Sequence, residues 1–230
     1  MFPLALLNAS SPPVDPALTL VLLHFDTDYT DSSQTAAVWS NNGAGASISA
    51  TSKFGAGSLA TLGTGGIVTQ NATVRTPLGS DNWTIEGWFN KTAIGNDING
   101  LFMLMAGNGQ PITLYIENGI LYAAVRFDFS TRTTISHQTT IVAGEFTHYA
   151  LVRNGATITL YLNGVAGTTT INSGALSLYP SNFNHCFISL ARKVEGGTTT
   201  YLDGLHDEFR YRREAVYTTN FTPPTAPFTF

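Results

Sequence analysis

The chain has 230 residues, of which 43% are hydrophobic and only 11% charged; 11 Lys and Arg face 15 Asp and Glu, for a formal net charge of −4. That mild acidity offers no basic face for a phosphate backbone, which excludes nucleic acid as an expected partner, and no run approaches the ~20 apolar residues of a membrane-spanning helix. The low charge and the abundance of Thr, Ser, Gly and Asn suit many short strands and turns and are poor for helices.

All-β sandwiches and barrels reach this length as one domain, which is the expectation here. The single cysteine, Cys186, leaves no internal disulfide. Residues 1–16 carry Pro3, Pro12, Pro13 and Pro16, so an extended arm with polyproline character is expected, either loose or docked on a neighbouring subunit. Its short apolar run lacks a preceding basic residue and contains Pro3, which makes a poor signal peptide. The Asn-x-Ser/Thr triplets at Asn8, Asn71, Asn82, Asn90 and Asn220 carry little weight in so Thr-rich a chain.

Ala17 to Phe25 is apolar on both faces and reads as a strand covered on both sides, with His24 as a hydrogen-bonded core histidine. The chain then turns acidic, with Asp26, Asp28 and Asp31 around Tyr29. Alternating carboxylates on a loop can converge on a hard cation such as calcium; equally, they can bond their own backbone in an Asp-rich turn. From Asn41 to Gly66, glycines punctuate short strands near Ala46 to Ala50 and Ser58 to Leu62.

After Ile67 to Val74, the stretch Asp81 to Asn90 alternates clearly. Trp83, Ile85, Gly87 and Phe89 share one face, and Thr84, Glu86, Trp88 and Asn90 the other. Glu86 is a candidate catalytic acid or the partner of an arginine. Lys91 to Gly100 reads as a loop and Leu101 to Ala106 as a buried strand. Pro111 to Glu117 and Ile120 to Phe127 form a hairpin through Asn118-Gly119, and a polar stretch follows from Asp128 to His137. Thr147 to Arg153 and Ala156 to Leu162 form another, with Asn154-Gly155 expected to take a type I′ turn and Asn163-Gly164 to repeat it. A long Ser/Thr/Asn connection from Thr168 to Asn184 is where specificity could reside. Phe187 to Leu190 and Thr198 to Leu202 are strand-like around an exposed tip at Arg192 to Gly197. Asp203-Gly204 makes a turn before a last strand from His206 to Tyr211, and the end from Pro223 resists pairing.

Four stretches in order, SKFGAGSL at 52–59, WTIEGWF at 83–89, GEFTHYALVRNGATITLYLNG at 144–164 and YLDGLHDEFR at 201–210, resemble the laminin-G-like, concanavalin A-like lectin/glucanase domains. The resemblance runs over about residues 18 to 228, and the closing TTNFTPPTAPF is similar to the ending common in the tailed-bacteriophage branch. Phe146 stands where the family usually has Trp, and His206 where it usually has an aliphatic residue. The resemblance implies an all-β, two-sheet antiparallel jelly-roll sandwich over residues 17–230, first and last strands side by side, preceded by the arm at 1–16. It also implies a structural Ca2+ near that junction, carried over here to Asp26 and Asp207, with Asp28 and Asp203 as further candidates. Asp207 and Glu208 could instead pair with Arg210 or Arg212.

Jelly-roll glucanases set their carboxylates on one strand as Glu-x-Asp-x-x-Glu, and this chain has no such spacing. Adjacent Asp207 and Glu208 are expected on opposite faces, and no Gly-x-Ser-x-Gly elbow occurs. The expectation is therefore no enzymatic activity. A carbohydrate-binding module could use Tyr115, Tyr122, Phe127 and Phe129 with Asn96, Asp97 and Asn184. The phage-like ending and the arm favour a structural protein of a virion surface, a head decoration or a tail or fibre component assembled in the host cytoplasm. Its expected partners are capsid or tail proteins, further copies of itself and a host-surface glycan.

Overall fold

The computed structural model describes residues 15–75, 79–106, 109–127, 132–172 and 187–230. Most of the arm, Asp128, Phe129, Asn184, Cys186 and the greater part of the connection after Thr168 lie outside the described residues.

A short 3-10 turn, Pro16–Leu18, leads into β1 (Thr19–Leu23), whose five side chains are all buried as its two-faced apolarity predicts. There follow β2 (Ser40–Gly43), β3 (Ser47–Ser49), β4 (Ser58–Ala60), β5 (Gly65–Thr69) and a one-turn helix, α1 (Ala72–Arg75). Then come β6 (Trp83–Lys91), β7 (Ile98–Ala106), β8 (Gly109–Glu117), β9 (Ile120–Arg126) and β10 (Arg132–Ser136). The remaining strands are β11 (Thr147–Asn154), β12 (Thr157–Leu162), β13 (Val165–Asn172), β14 (Phe187–Leu190), β15 (Arg192–Glu195), β16 (Thr198–Tyr201) and β17 (Gly204–Arg212).

Two antiparallel sheets make the sandwich. One runs β13-β12-β11-β6-β17-β4-β3, with β1 also pairing β17, and the other runs β10-β9-β8-β7-β14-β5-β2. First and last strands thus lie side by side, in the register Leu22↔Arg210. The core between the sheets takes the inward alternation of each strand: Trp83, Ile85 and Phe89 from β6 meet Phe102, Leu104 and Leu114 from the facing sheet.

Gly87 holds an inward position because the room there is taken. A Cβ on it would sit 3.0 Å from the Tyr149 hydroxyl and 3.1 Å from His206 Cε1. Those two side chains share a hydrogen bond of 2.8 Å in the core, so the histidine that replaces an aliphatic residue is accommodated by a tyrosine partner and a missing side chain opposite.

The central hairpin differs from expectation by one residue. Asn154 pairs with Thr157, so Gly155 and Ala156 form the loop, and only Gly155 has positive φ, 58°. This is the pattern of a type II′ turn, which asks for glycine first, rather than type I′. Asn118-Gly119 and Asn163-Gly164, both with positive φ at each position, do take the I′ pattern. At the end of the chain Gly204 is extended, so β17 begins there instead of after a turn.

The proline-rich ending does not project. Residues 214 to 229 cross the outer face of the first sheet. Thr84 Oγ1 donates to the Glu214 carbonyl, the Phe221 N–H donates to the Gly164 carbonyl, and Arg210 Nη1 donates to the Thr229 carbonyl. Tyr217, Phe221 and Phe228 close over His148 and Trp88. That cover explains why Thr84, Glu86 and Trp88, on the nominally outward face of β6, are buried.

Candidate functional site

The acidic loop between β1 and β2 supplies three aspartates with three different jobs. Phe25 takes a left-handed φ of 62° and sends the chain out of the sheet. Asp31 is buried and accepts backbone N–H groups from Leu22 at 3.0 Å, Ser33 at 2.9 Å and Ala37 at 3.0 Å, which fixes the loop from Leu22 to Ala37. Asp26 accepts the Ala56 N–H and ties the loop to the 51–57 segment. Asp28 is left facing solvent. It accepts the Thr30 N–H at 2.8 Å, and hydrogen bonds from the Thr30 side chain and backbone hold its carboxyl below the ordinary range.

This pinned loop shapes two adjoining hollows on either side of Val38. One, about 420 Å³, is lined by Asp28, Tyr29, Thr30 and Trp39 among others; the second, about 370 Å³, is lined by Ser40, Val68, Thr69, Gln70 and Asn71. Ala36 and Val38 belong to both, and the Val38 side chain stands 83% exposed between them. The Tyr29 ring is held edge-on against Phe25, centroids 6.5 Å apart. Trp39 is buried, and its indole N–H has no partner among the described residues. Asn71 Oδ1 caps α1 by accepting the Thr73 and Val74 N–H groups, which leaves its amide NH2 as the donor available to a ligand. An aromatic ring, an exposed apolar side chain and neutral polar groups around a fixed concavity are the ingredients of a small-molecule or glycan site.

At the sheet junction the sequence brought the right residues together for a different purpose. A bulge between Asp207 and Arg210, with Glu208 at φ 47°, puts both carboxylates on one side of β17, where strict alternation had placed them on opposite faces. Neither pairs with Arg210 or Arg212. Asp207 accepts N–H groups from Lys53 at 2.7 Å and Phe54 at 3.2 Å on one oxygen and from Glu208 at 2.9 Å on the other. Burial pushes its carboxyl up to about 7 despite those donors. Glu208 receives His24 Nδ1 at 3.0 Å on each oxygen and the Phe228 N–H at 2.8 Å. The hydrogen bond to Glu208 outweighs burial and raises the His24 imidazole above its usual range. His24 is thus a rim residue, its side chain 26% exposed, rather than a core one.

Calcium takes about six to eight oxygen ligands. Here both oxygens of Asp207 and of Glu208 are met by N–H groups and an imidazole, one oxygen of Asp26 takes the Ala56 N–H, and the backbone N–H of Asp203 donates to Asn99 Oδ1. Among the described residues no group of three or more His, Cys, Asp or Glu side chains is set to hold a metal ion.

Glu86 is the partner of an arginine, as one of its two readings had it. Its Oε1 accepts Arg210 Nε at 2.9 Å and Nη2 at 2.7 Å, and its Oε2 accepts the Tyr217 hydroxyl at 2.8 Å. Burial alone would raise its carboxyl; Arg210 and His148 outweigh that and lower it, so Glu86 is a sealed carboxylate unsuited to giving up a proton.

Of the aromatic candidates, Tyr115 and Tyr122 do meet, stacked at 5.2 Å on the outer face of the second sheet. Lys193 Nζ lies 4.1 Å from the Tyr115 centroid and Arg132 Nη2 is 3.4 Å from its hydroxyl, so Tyr115, only 5% exposed, is closed off. Phe127 packs against the core, and Asp97 is bound to Lys91 and Asn99. The hollows beside Val38 went unread in the sequence. Their signal was the segment AAVWS at 36–40, where Ala37 and Trp39 turn inward and Val38 outward.

A profile of the concanavalin A-like lectin/glucanases superfamily matches residues 62–217, more than half of the chain. The chain belongs to that superfamily. No curated protein sequence matches it. Among solved structures, it is similar to domain 4 of AbnA, a GH43 extracellular arabinanase from Geobacillus stearothermophilus, in complex with arabinotriose: TM-score 0.67, 17% identity, 86% of this chain and 94% of that one. It is also similar to the binding domain of Paraclostridial Mosquitocidal Protein 1, at TM-score 0.67, 16% identity, 88% of this chain and 50% of that one. The binding domain of Botulinum neurotoxin DC with rat synaptotagmin II gives 0.66, 12%, 88% and 49%. The chain therefore spans about half the length of these toxin binding domains.

Proposed function

We propose that this protein is a glycan-binding jelly roll that carries out no chemistry of its own, with its ligand seated in the hollows flanking Val38. The observation that carries the proposal is the pairing of a half-buried aromatic ring, Tyr29, and an exposed valine, Val38, on a loop that Asp31 fixes before any ligand arrives, with the neutral polar groups of Gln70 and Asn71 across from them. Support comes from neighbours of like fold: the arabinanase domain was solved with arabinotriose, and entry of botulinum neurotoxin type C depends on two ganglioside molecules. Glycoside hydrolysis generally uses two carboxylates across the bond; of the two lining these hollows, Asp31 is committed to three backbone N–H groups. In its finer form the proposal places the module on a virion surface, attached to capsid or tail proteins through residues 1–16 and self-associated there. The phage-like ending and the proline content of that segment support this placement, and a cryo-EM map of purified particles lacking the protein would overturn it. For the binding itself, a glycan array is read with the wild type and with Tyr29→Ala. Retention of a defined glycan set by the wild type, weakened at least tenfold in the variant, is expected; no retention at high protein concentration, or equal retention by both proteins, overturns the proposal.

A further inference from the structure

The form of the site specifies more than its class. There are two hollows of comparable size, not one, and they meet at Val38, the most exposed of the large hydrophobic residues among the described residues. A valine presented in this way gains nothing from the fold, and it is not loose: the Ala37 N–H beside it is held by Asp31, and Trp39 on its other side is buried. A single sugar ring seated in either hollow covers Val38 from one side only. A ligand that crosses from one hollow to the other covers it with the apolar face of a ring.

The two ends also differ chemically. The first hollow offers the solvent-facing Asp28 carboxylate as a hydroxyl acceptor; the second offers the amide NH2 of Asn71 and the Gln70 side chain. No Lys or Arg is among the lining residues of either hollow, Asp28 is the exposed charge, and the chain carries a net charge of −4. A carboxylate- or sulfate-bearing sugar would meet a like charge with no counter-ion.

From this we infer that the site takes an extended neutral oligosaccharide of at least two units, laid across Val38 in one direction. The inference rests on the glycan-binding reading of the same hollows. Isothermal titration of the full chain tests it with neutral arabino- and gluco-oligosaccharides of one to five units, and with sialyllactose and oligogalacturonides as acidic probes. Expected is a gain of at least tenfold in affinity between one unit and three in one neutral series, then a plateau, with Kd moving less than twofold between low and high salt. Val38→Asp, at a solvent-facing position, is expected to cost at least tenfold on the trisaccharide with its urea transition unchanged. Tyr29→Ala and Gln70→Ala are each expected to weaken the trisaccharide, and to do so unequally on the disaccharide. A monosaccharide that binds as tightly as the trisaccharide, a Val38→Asp variant that binds like wild type, or salt-sensitive preference for the acidic probes overturns the inference while leaving glycan binding intact. Silence across every probe and across the array removes both.

Discussion

Replacing the buried hydrogen-bonded pair His206 and Tyr149 by Leu and Phe should change how stability depends on pH, by an amount the structure sets. His206 is fully buried, flanked by the Phe25 and Phe209 rings, and burial lowers its imidazole to about 3 from an ordinary 6.5. A base whose folded pKa is depressed binds fewer protons folded than unfolded between those two values. Its contribution is therefore full above pH 6.5 and is lost as pH falls toward 3. At about 1.4 kcal/mol per pH unit, roughly 2 kcal/mol is gone by pH 5. Asp207 works the other way. With its folded value raised to about 7 from 3.8, it favours the folded state more as pH falls through that window, by a comparable amount. In the wild type the two neighbours largely offset each other between pH 7.5 and 5. Substituting both His206 and Tyr149 avoids leaving either polar group orphaned. Urea unfolding of wild type and double variant at pH 7.5 and pH 5 should show the variant gaining about 2 kcal/mol on the wild type upon acidification. Parallel pH responses would mean that His206 titrates alike in folded and unfolded chains, and the assignment of a neutral, desolvated imidazole would be wrong.

Two further outcomes follow from the sealed polar groups. Arg210→Met should destabilise by about 3–5 kcal/mol, because it strands the Glu86 carboxylate in a dry site, and Glu86→Gln added to it should recover part of that loss in chemical denaturation; equal stability of single and double variants would contradict the ion-pair account. Treatment with a chelator should leave the melting temperature unchanged, since N–H donors and His24 already satisfy Asp207 and Glu208; a drop of several degrees, reversed by calcium, would show that the junction rearranges around the ion.

What could be read from sequence depended on how local its cause was. The inward alternation of β6 and the Asn118-Gly119 and Asn163-Gly164 turns are written in neighbouring residues, and the structure has them as expected. The Asn154-Gly155 turn slipped because Gly155 alone can satisfy a type II′ loop, and the choice between turns was made by cross-strand register, Asn154 opposite Thr157. Asp207 and Glu208 were separated on paper by strand alternation, which a bulge cancels, and no local pattern announces a bulge. The ending forms no strand, as its prolines dictate, but where it docks is not local information: its anchors, Tyr217 on Glu86 and Phe228 on Glu208, lie more than a hundred residues away or across a strand. The hollows beside Val38 have no local signature because a cleft is made by what surrounds it: β5 and the Gln70-Asn71 link after it supply one wall, and nothing in AAVWS names them.

The most direct measurement is a backbone and side-chain NMR titration of the full chain with an array-positive oligosaccharide. Shifts concentrated at residues 28–30, 36–40 and 68–71 are predicted, with Val38 methyl groups among the largest. Shifts confined to the second sheet around Tyr122 and Lys193, with the acidic loop unmoved, would contradict the account.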